Sequence, residues 1–433
     1  MDLSGVLKTL FKPETNQSLP MPSLKSGQIV FGRITRLFPN QTAEVQVGSQ
    51  KMIAKLEIPL SADEGYWFQV QSDEGKINLK VIAEANGKGK SANPMEGLLS
   101  QLGVPQRKEN IEFVRFLLKE QLPITKDSIA IAAEWMKNAE SKGMALDVIK
   151  MMAQRNLPFT KEVFSSMSAV LDGKPISQLL ENALSSLNER NETNTVQQLK
   201  TILNTVISSA EELDWGRSEN TIRHIKHMVS ALGMDYEKQI FERDVTSAEK
   251  ADELLSLKPL LIRYLTEHEG NSKKDAAEQL LNRITGLQLL SQDNGPLLQF
   301  TTQVPITFWN KTSDLSIQWN GRKKEDGKID PHYCRVLFYL DLEYMGHTVV
   351  DMQVQNRIMT ISISSEKKEM REVASPFIKL LKEKLKEMDY HLSAVTFEEQ
   401  GENKSGTHSR RPLYLFMKIK YTGESITRYE QRR

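Results

Sequence analysis

YLDLEYMGHTVVDMQVQNRIMTISISS, residues 339–365, holds three apolar-alternating runs separated by very short breaks. Alternation with a period of two marks strands that turn one face to a core. In RVLFYLDLEY (335–344), Val336, Phe338, Leu340, Leu342 and Tyr344 share a face. Across a turn at Asn356-Arg357, Val354 falls opposite Met359, Met352 opposite Ile361 and Val350 opposite Ile363. A slip of one residue would expose the whole apolar set, so the register is strongly specified. A helical pattern follows over 366–388, with Met370, Val373, Phe377, Leu381, Leu385 and Met388 spaced by three and four. Pro376 is expected to kink that helix, or to restart it with Ser375 as cap. HLSAVTF (391–397) reads as a last strand, and QFTTQVPITFW (299–309) and DLSIQW (314–319) as earlier ones. The expected unit is an α+β sandwich of one sheet and one covering helix.

Working outward, residues 27–82 also read as strands: GQIVFGRITRL, TAEVQVGSQKMIA, YWFQVQ and KINLKVI. Gly48-Ser49 has Gly first, as a type II′ hairpin requires, which pairs Val45 with Met52 and Ala43 with Ala54. About five short strands in a meander are expected to curl into a small barrel of the OB or SH3 kind. EANGKGKSANP (84–94) reads as a linker. Helical periodicity then runs from about 95 to 291. LPITKDS at 122 and LPFTKEV at 157 repeat with an offset of 35 residues. Pro123 and Pro158 end one helix, and Thr125 and Thr160 cap the next, with Asp127 and Glu162 in the first turn. Two copies lacking the aromatic and small-residue pattern of tetratricopeptide repeats do not make a solenoid. SENTIRHIKHMVSALG (218–233) stripes Ile222, Ile225, Val229 and Leu232 and ends at Gly233. SKKDAAEQLLNRITGLQLL (272–290) starts with Ser272 as cap and stripes Ala277, Leu280, Leu281, Ile284 and Leu287.

A chain of 433 residues exceeds one core. The expected organisation is multidomain α and β: an arm over 1–26, a small β-barrel over 27–82, a linker over 83–95, a helical region over 96–294 with its two 35-residue hairpins, an α+β domain over 297–400, and a basic tail over 401–433. With 57 basic against 56 acidic residues, net charge +1, no global pull toward nucleic acid exists. The single cysteine, Cys334, excludes an internal disulfide and Cys-rich zinc sites; it fits a reducing compartment, and equally a cysteine-poor secreted protein. Asp2 and Lys8 spoil a signal peptide, and no apolar run of about 18 residues exists to span a membrane. A soluble, intracellular protein is expected.

The chemistry-bearing motifs fail on inspection. GKGKS (87–91) has Glu84 where a P-loop needs its first Gly. His224 and His227 lie three apart, yet off the apolar stripe and without carboxylate or Cys at ligand spacing, so a solvated helix face is the expectation. Cys334 sits at a strand start with no partner that would make it a nucleophile. No catalytic residue, metal ligand, cofactor site or small-molecule substrate is therefore expected. Nucleic acid is the remaining binding alternative. The barrel carries six basic and six acidic residues, but 403–433 holds eight Lys/Arg against two Glu, with RRPLYLFMKIK interleaving aromatics and bases.

Three stretches, LDLEYMGHTVVDMQVQNRIMTISIS, LLKEKLKEMDYHLSAVTF and AEQLLNRITGLQLL, resemble the C-terminal half of the flagellar hook-length control protein family. In that family a strand ends in a Leu-Gly step, a Val-rich hairpin and a long helix follow, and Gly-Tyr-x-Leu enters a final strand. Met345-Gly346 stands for the first motif and Asp389-Tyr390-His391-Leu392 for the second. GQIVFGRITRLFPNQTAEVQVGSQKMIA looks like the N-terminal module of some Gram-positive relatives. The resemblance implies a non-enzymatic role at the flagellar or type III export apparatus, with a C-terminal domain that contacts the cytoplasmic domain of the export gate. It also implies that Tyr344, Met345 and Gly346 form an exposed, partner-binding tip; the alternative is that Met345 caps the core and Gly346 makes the turn. The family's ruler proteins carry a long flexible middle; here the middle is helical and capped, so a switch-like relative without a ruler, or a paralogue with an unassigned partner, is the expectation.

Overall fold

The computed structural model describes residues 26–39, 42–47, 50–56, 58–73, 76–84, 94–120, 122, 124–187, 193–211, 218–242, 256–268, 274–291, 293–294, 297–308, 311–325 and 327–399. The chain divides into two compact units between Phe164 and Ser165, inside the helix Lys161–Leu171.

The N-terminal unit is built round one long strand. β1 (Gln28–Phe38) pairs through its second half with β2 (Thr42–Val47) and through its first half with β4 (Gly65–Asp73). β3 (Gln50–Lys55) continues beyond β2 and β5 (Lys76–Glu84) beyond β4, giving the order β3-β2-β1-β4-β5. The spatial order β4-β1-β2-β3 is a Greek key, the connectivity of the OB kind of barrel, and not the expected meander. The reason lies in β1, which at 11 residues is nearly twice as long as β2 and serves two neighbours by bending. A bulge between Ile34 and Arg36 supplies the bend. At Gly32 a Cβ would sit 2.8 Å from Val45 Cγ1 and 3.0 Å from Phe68 Cε2, so no larger residue fits there. The ends of the path, β3 and β5, approach each other and curl the sheet. The β2–β3 register is as expected, Val45 opposite Met52 and Ala43 opposite Ala54; Gly48 and Ser49 lie outside the described residues.

Alternation gives this small sheet two cores. Val30, Ile34, Ala43, Val45, Phe68, Val70 and Leu79 fill the inside. Ile29 and Trp67 point the other way and are buried against Leu98, Leu99, Phe113, Leu117, Ile129 and Ile149 of the helices Pro94–Gln101, Lys108–Glu120, Lys126–Asn138 and Lys142–Gln154. The repeated phrase also joins the sheet: Ile124–Thr125 forms a two-residue strand, β6, on the edge of β1. Thr125 Oγ1 accepts from Ser128 N and Thr160 Oγ1 from Val163 N, both at 3.3 Å, so both caps form as the sequence predicts. Pro123 lies outside the described residues.

In the C-terminal unit seven strands run in the order β13-β12-β11-β10-β9-β8-β7 among the described residues. They are β7 (Asp293–Asn294), β8 (Leu297–Phe308), β9 (Lys311–Lys323), β10 (Ile329–Leu342), β11 (Gly346–Gln355), β12 (Ile358–Ser365) and β13 (His391–Glu399). All neighbours are antiparallel except β12 and β13, which run parallel because a helical crossover joins them. The opening hairpin has the register read from its alternation, Val354–Met359, Met352–Ile361 and Val350–Ile363. Asn356 and Arg357 take φ of 49° and 65°, the double left-handed step of a type I′ turn. Leu337 and Tyr339 are buried along with Val336, so β10 is covered on both faces where one was expected.

Helices pack on the β8 end of that sheet. Ile176–Ser186, Asn194–Glu211, Ser218–Ala231 and Asp275–Leu290 all touch β8. Leu180, Leu203, Met228, Leu280, Ile284 and Leu287 are buried there, with Val304 and Ile306 of β8 itself. Of the stripe expected in Ser218–Ala231, Ile222 is exposed and Met228, unassigned from sequence, is buried. That helix closes at Gly233 with φ +81° and a Met234 N–H donated to the Val229 carbonyl. Asp275–Leu290 begins at Asp275, and Ser272 lies outside the described residues. A Cβ on Gly286 would press on the Ser166 carbonyl and the Val170 side chain, which fixes how closely these helices approach.

Candidate functional site

The hairpin joining β10 to β11 carries the three residues singled out in sequence. β10 ends at Leu342, paired with Gly346, and Glu343, Tyr344 and Met345 make the turn. Gly346 holds φ +66°, a conformation that glycine adopts without strain, and a Cβ there would have to displace the carboxylate end of the exposed Glu366 side chain. Ser365 Oγ donates to the Met345 carbonyl at 2.9 Å and Thr348 Oγ1 to the Gly346 carbonyl at 3.2 Å. The backbone just after Tyr344 is thereby tied to Ser365 of β12, and that of Gly346 to Thr348 of its own strand β11. Against that fixed frame Tyr344 is 77% exposed, while Met345 is half-buried. The tip therefore presents one large side chain, and Tyr344 belongs to the turn and not to the strand face where its alternation placed it.

The second surface was missed by reading the pattern as a covering helix. The segment 366–388 folds as Met370–Ala374, a 3-10 turn Ser375–Phe377 at Pro376, and Ile378–Glu387. Ser375 does not cap the restarted helix; its hydroxyl donates back to the Arg371 carbonyl at 2.5 Å. Of the expected stripe only Leu385 is buried, packing with Val354, Met359, Ile361 and Leu392, with Ile378 partly enclosed. Val373, Phe377, Leu380, Leu381 and Met388 are exposed, Phe377 at 64%. The signal was present in the sequence: Phe377-Ile378 and Leu380-Leu381 are adjacent apolar pairs, and neighbours on a helix lie about 100° apart. Such pairs make two apolar faces, of which the sheet takes one.

Titratable groups cluster elsewhere and serve the fold. Arg283, fully buried, donates from Nη2 to the Lys174 carbonyl at 2.5 Å and from Nη1 to the Val170 carbonyl and Gln303 Oε1, both at 3.3 Å. The Asp314 carboxylate accepts the backbone N–H of Ile176 and, at 3.2 Å, of Ser177, neutralising the start of the Ile176–Ser186 helix. Burial pushes the Asp314 carboxyl up, while those N–H groups and Arg283 pull it back. The His224 ring lies within hydrogen-bond reach of the Ser209 carbonyl, so it is not the solvated face expected; His227 is exposed. Cys334 is half-buried, and burial pushes its thiol up, away from the thiolate. Among the described residues no group of three or more His, Cys, Asp or Glu could hold a metal ion, and no helix is long and apolar enough to cross a membrane.

The barrel has a mixed outer face. Arg33, Gln46 and Lys51 line up across β1, β2 and β3, followed by Arg36, Glu44 and Ile53. Glu44 accepts from Thr35 Oγ1 at 2.6 Å and from Lys51 Nζ at 3.1 Å, and these bonds hold its carboxyl below the usual range. Leu37, Phe38 and Ile53 are exposed beside these charges.

Residues 7–80 match the family model described as the TP0910 S1-like domain. The chain is 23% identical, over 517 aligned positions, to "Uncharacterized protein YlqG" of Bacillus subtilis (strain 168), covering 86% of this chain and 90% of that protein. No solved structure matches. What the comparisons show is an N-terminal small β domain similar to S1-like domains, followed in this chain by helices and a C-terminal sheet domain.

Proposed function

We propose that this chain is a non-enzymatic interaction protein of the export-specificity-switch kind, resembling the flagellar hook-length control family, whose C-terminal sheet docks on the cytoplasmic domain of an export gate. The observation that carries the reading is the β10–β11 tip: a single exposed tyrosine on a backbone tied down by Ser365 and Thr348. A pre-organised aromatic loses little freedom on binding, which is why tyrosine serves so often as an interface anchor. The partner class comes from the resemblance, and two backbone angles support it. Gly346 of the Leu-Gly-like step holds φ +66°, and Asp389, standing where the family has glycine in Gly-Tyr-x-Leu, holds φ +63°. Asp389 is accommodated there by an ion pair with Arg357 at 3.0 Å, and the Arg357 guanidinium lies over the Tyr390 ring. Such a protein works in the cytoplasm, where the gate domain is. Tyr344→Ala should melt with the wild type and lose at least about tenfold in affinity for a purified export-gate cytoplasmic domain. Unchanged affinity in the folded variant would remove this tip from the interface.

A second reading is a nucleic-acid-associated role through the barrel and the basic segment 401–433, which lies outside the described residues. It is favoured by the S1-like match together with Arg33, Arg36 and Lys51 beside exposed Leu37 and Phe38. Against it, Glu44 neutralises part of that face. Single-stranded oligonucleotide binding whose affinity falls with salt at a slope of about −3 or steeper would establish three or more phosphate contacts. Salt-independent or absent binding would eliminate this reading.

A further inference from the structure

The exposed flank of the crossover helix has an internal order. Successive helical residues turn by about 100°, so Leu380, Lys384, Phe377, Met388 and Leu381 fall in that sequence within a sector of about 100°. Leu385 and Ile378, which pack on the sheet, come next, at about 140° and 160° from Leu380. Phe377, Leu380, Leu381 and Met388 are all exposed, as is Val373 one turn earlier. The spacing is symmetric about the Leu380–Leu381 peptide. Phe377 stands three places before Leu380 and Lys384 three after Leu381; Val373 stands seven before and Met388 seven after.

We propose that this flank joins two copies of the chain, with the crossover helices antiparallel about a two-fold axis through the Leu380–Leu381 peptide. A closed pair of that symmetry needs a surface complementary to itself, and the symmetric spacing supplies one. Leu380 meets the partner's Leu381, Phe377 the partner's Lys384, and Val373 the partner's Met388. The Lys384 stem covers the partner's Phe377 ring, and its ammonium lies over the ring face. Glu387, 2.9 Å from that ammonium within the same chain, keeps the charge paired as water leaves.

Charge selects a second copy over a lipid surface. Glu383 and Lys379 follow Leu380 on the border of the sector away from the sheet, about 60° and 100° round the helix. In the antiparallel register Lys379 falls within one position of the partner's Glu383, so two opposite-charge pairs cross the axis. A helix lying on anionic lipid borders its apolar sector with cations, whereas Glu383 and Glu387 hold this border. Five apolar side chains from each copy make a contact at the small end of specific interfaces, for which a Kd of about 10 µM is expected. Nothing in this depends on the β10–β11 tip meeting an export gate.

Sedimentation equilibrium of the full chain tests it. The wild type should reach twice the mass of one chain with a Kd on the order of 10 µM. Leu380→Asp, at an exposed position, should melt with the wild type and weaken the dimer at least about tenfold. Lys379→Glu and Glu383→Lys should each weaken it about threefold or more, and the double variant should return to within about twofold of wild type. A wild type still monomeric at about 200 µM would overturn the proposal. So would a monomer that cosediments with phosphatidylglycerol vesicles and loses them on Leu380→Asp, which would assign the flank to lipid. Dimerisation unchanged by Leu380→Asp would overturn it as well. A double variant as weak as the single ones would do the same, because the helices would then not cross in the antiparallel register.

Discussion

Ile361→Asp is expected to unfold the C-terminal sheet domain. Ile361 lies opposite Met352 on one side and Val395 on the other, and it packs in the cluster of Val354, Met359, Leu385 and Leu392. An aspartate there would put a charge among these apolar side chains and must remain buried unpaired or tear the hairpin from the helix. The cost is several kcal/mol, a large part of the net stability of an ordinary domain. Thermal or denaturant unfolding measures it. A variant melting within about one degree of wild type would show that the hairpin face assigned as core is not core.

Arg283→Met should be the other severe loss, for a different reason. Methionine fills much of the volume but leaves the carbonyls of Val170 and Lys174 and the Gln303 amide oxygen without that donor, and withdraws a cation from half-buried Asp314. Breaking one side of a buried charged network costs about 3–5 kcal/mol. The pH dependence follows from linkage. A carboxyl whose folded pKa lies above its unfolded value takes up its proton first in the folded chain, so stability rises as pH falls through the folded value. Burial already places Asp314 on that side, and losing Arg283 pushes it further. The deficit of Arg283→Met relative to wild type should therefore be larger at about pH 7 than at about pH 5. A deficit that grows on acidification would mean that Asp314 is stabilised as the anion, chiefly by the Ile176 and Ser177 N–H groups.

How much was legible depended on whether the deciding interaction was local. The β11–β12 and β2–β3 registers could be read residue by residue, because alternation admits only one pairing that keeps both apolar rows on one face. The caps Thr125 and Thr160 were legible because a cap bond spans three residues. The Greek-key order was not: pattern counts strands, whereas the partner of β4 is decided by the bend of β1 at Gly32 and the bulge after Ile34. The role of Arg283 is not legible in the sequence because its partners, the carbonyls of Val170 and Lys174, are more than a hundred positions away. At the candidate site, Gly346 announced the turn, and the exposure of Tyr344 followed from where β10 stops. The exposed helix flank stayed hidden because periodicity reports which residues are apolar and not how many faces the sheet can take.

We propose that the C-terminal sheet is a protein-contact platform with the β10–β11 tip at its centre. Hydrogen exchange of the full chain, with and without a purified export-gate cytoplasmic domain, tests it most directly. The account predicts slowed exchange on complex formation in 342–348 and the adjoining ends of β11 and β12, with the barrel strands unchanged. Protection confined to 28–55, or no protection at any residue at saturating concentrations of the gate domain, would contradict it.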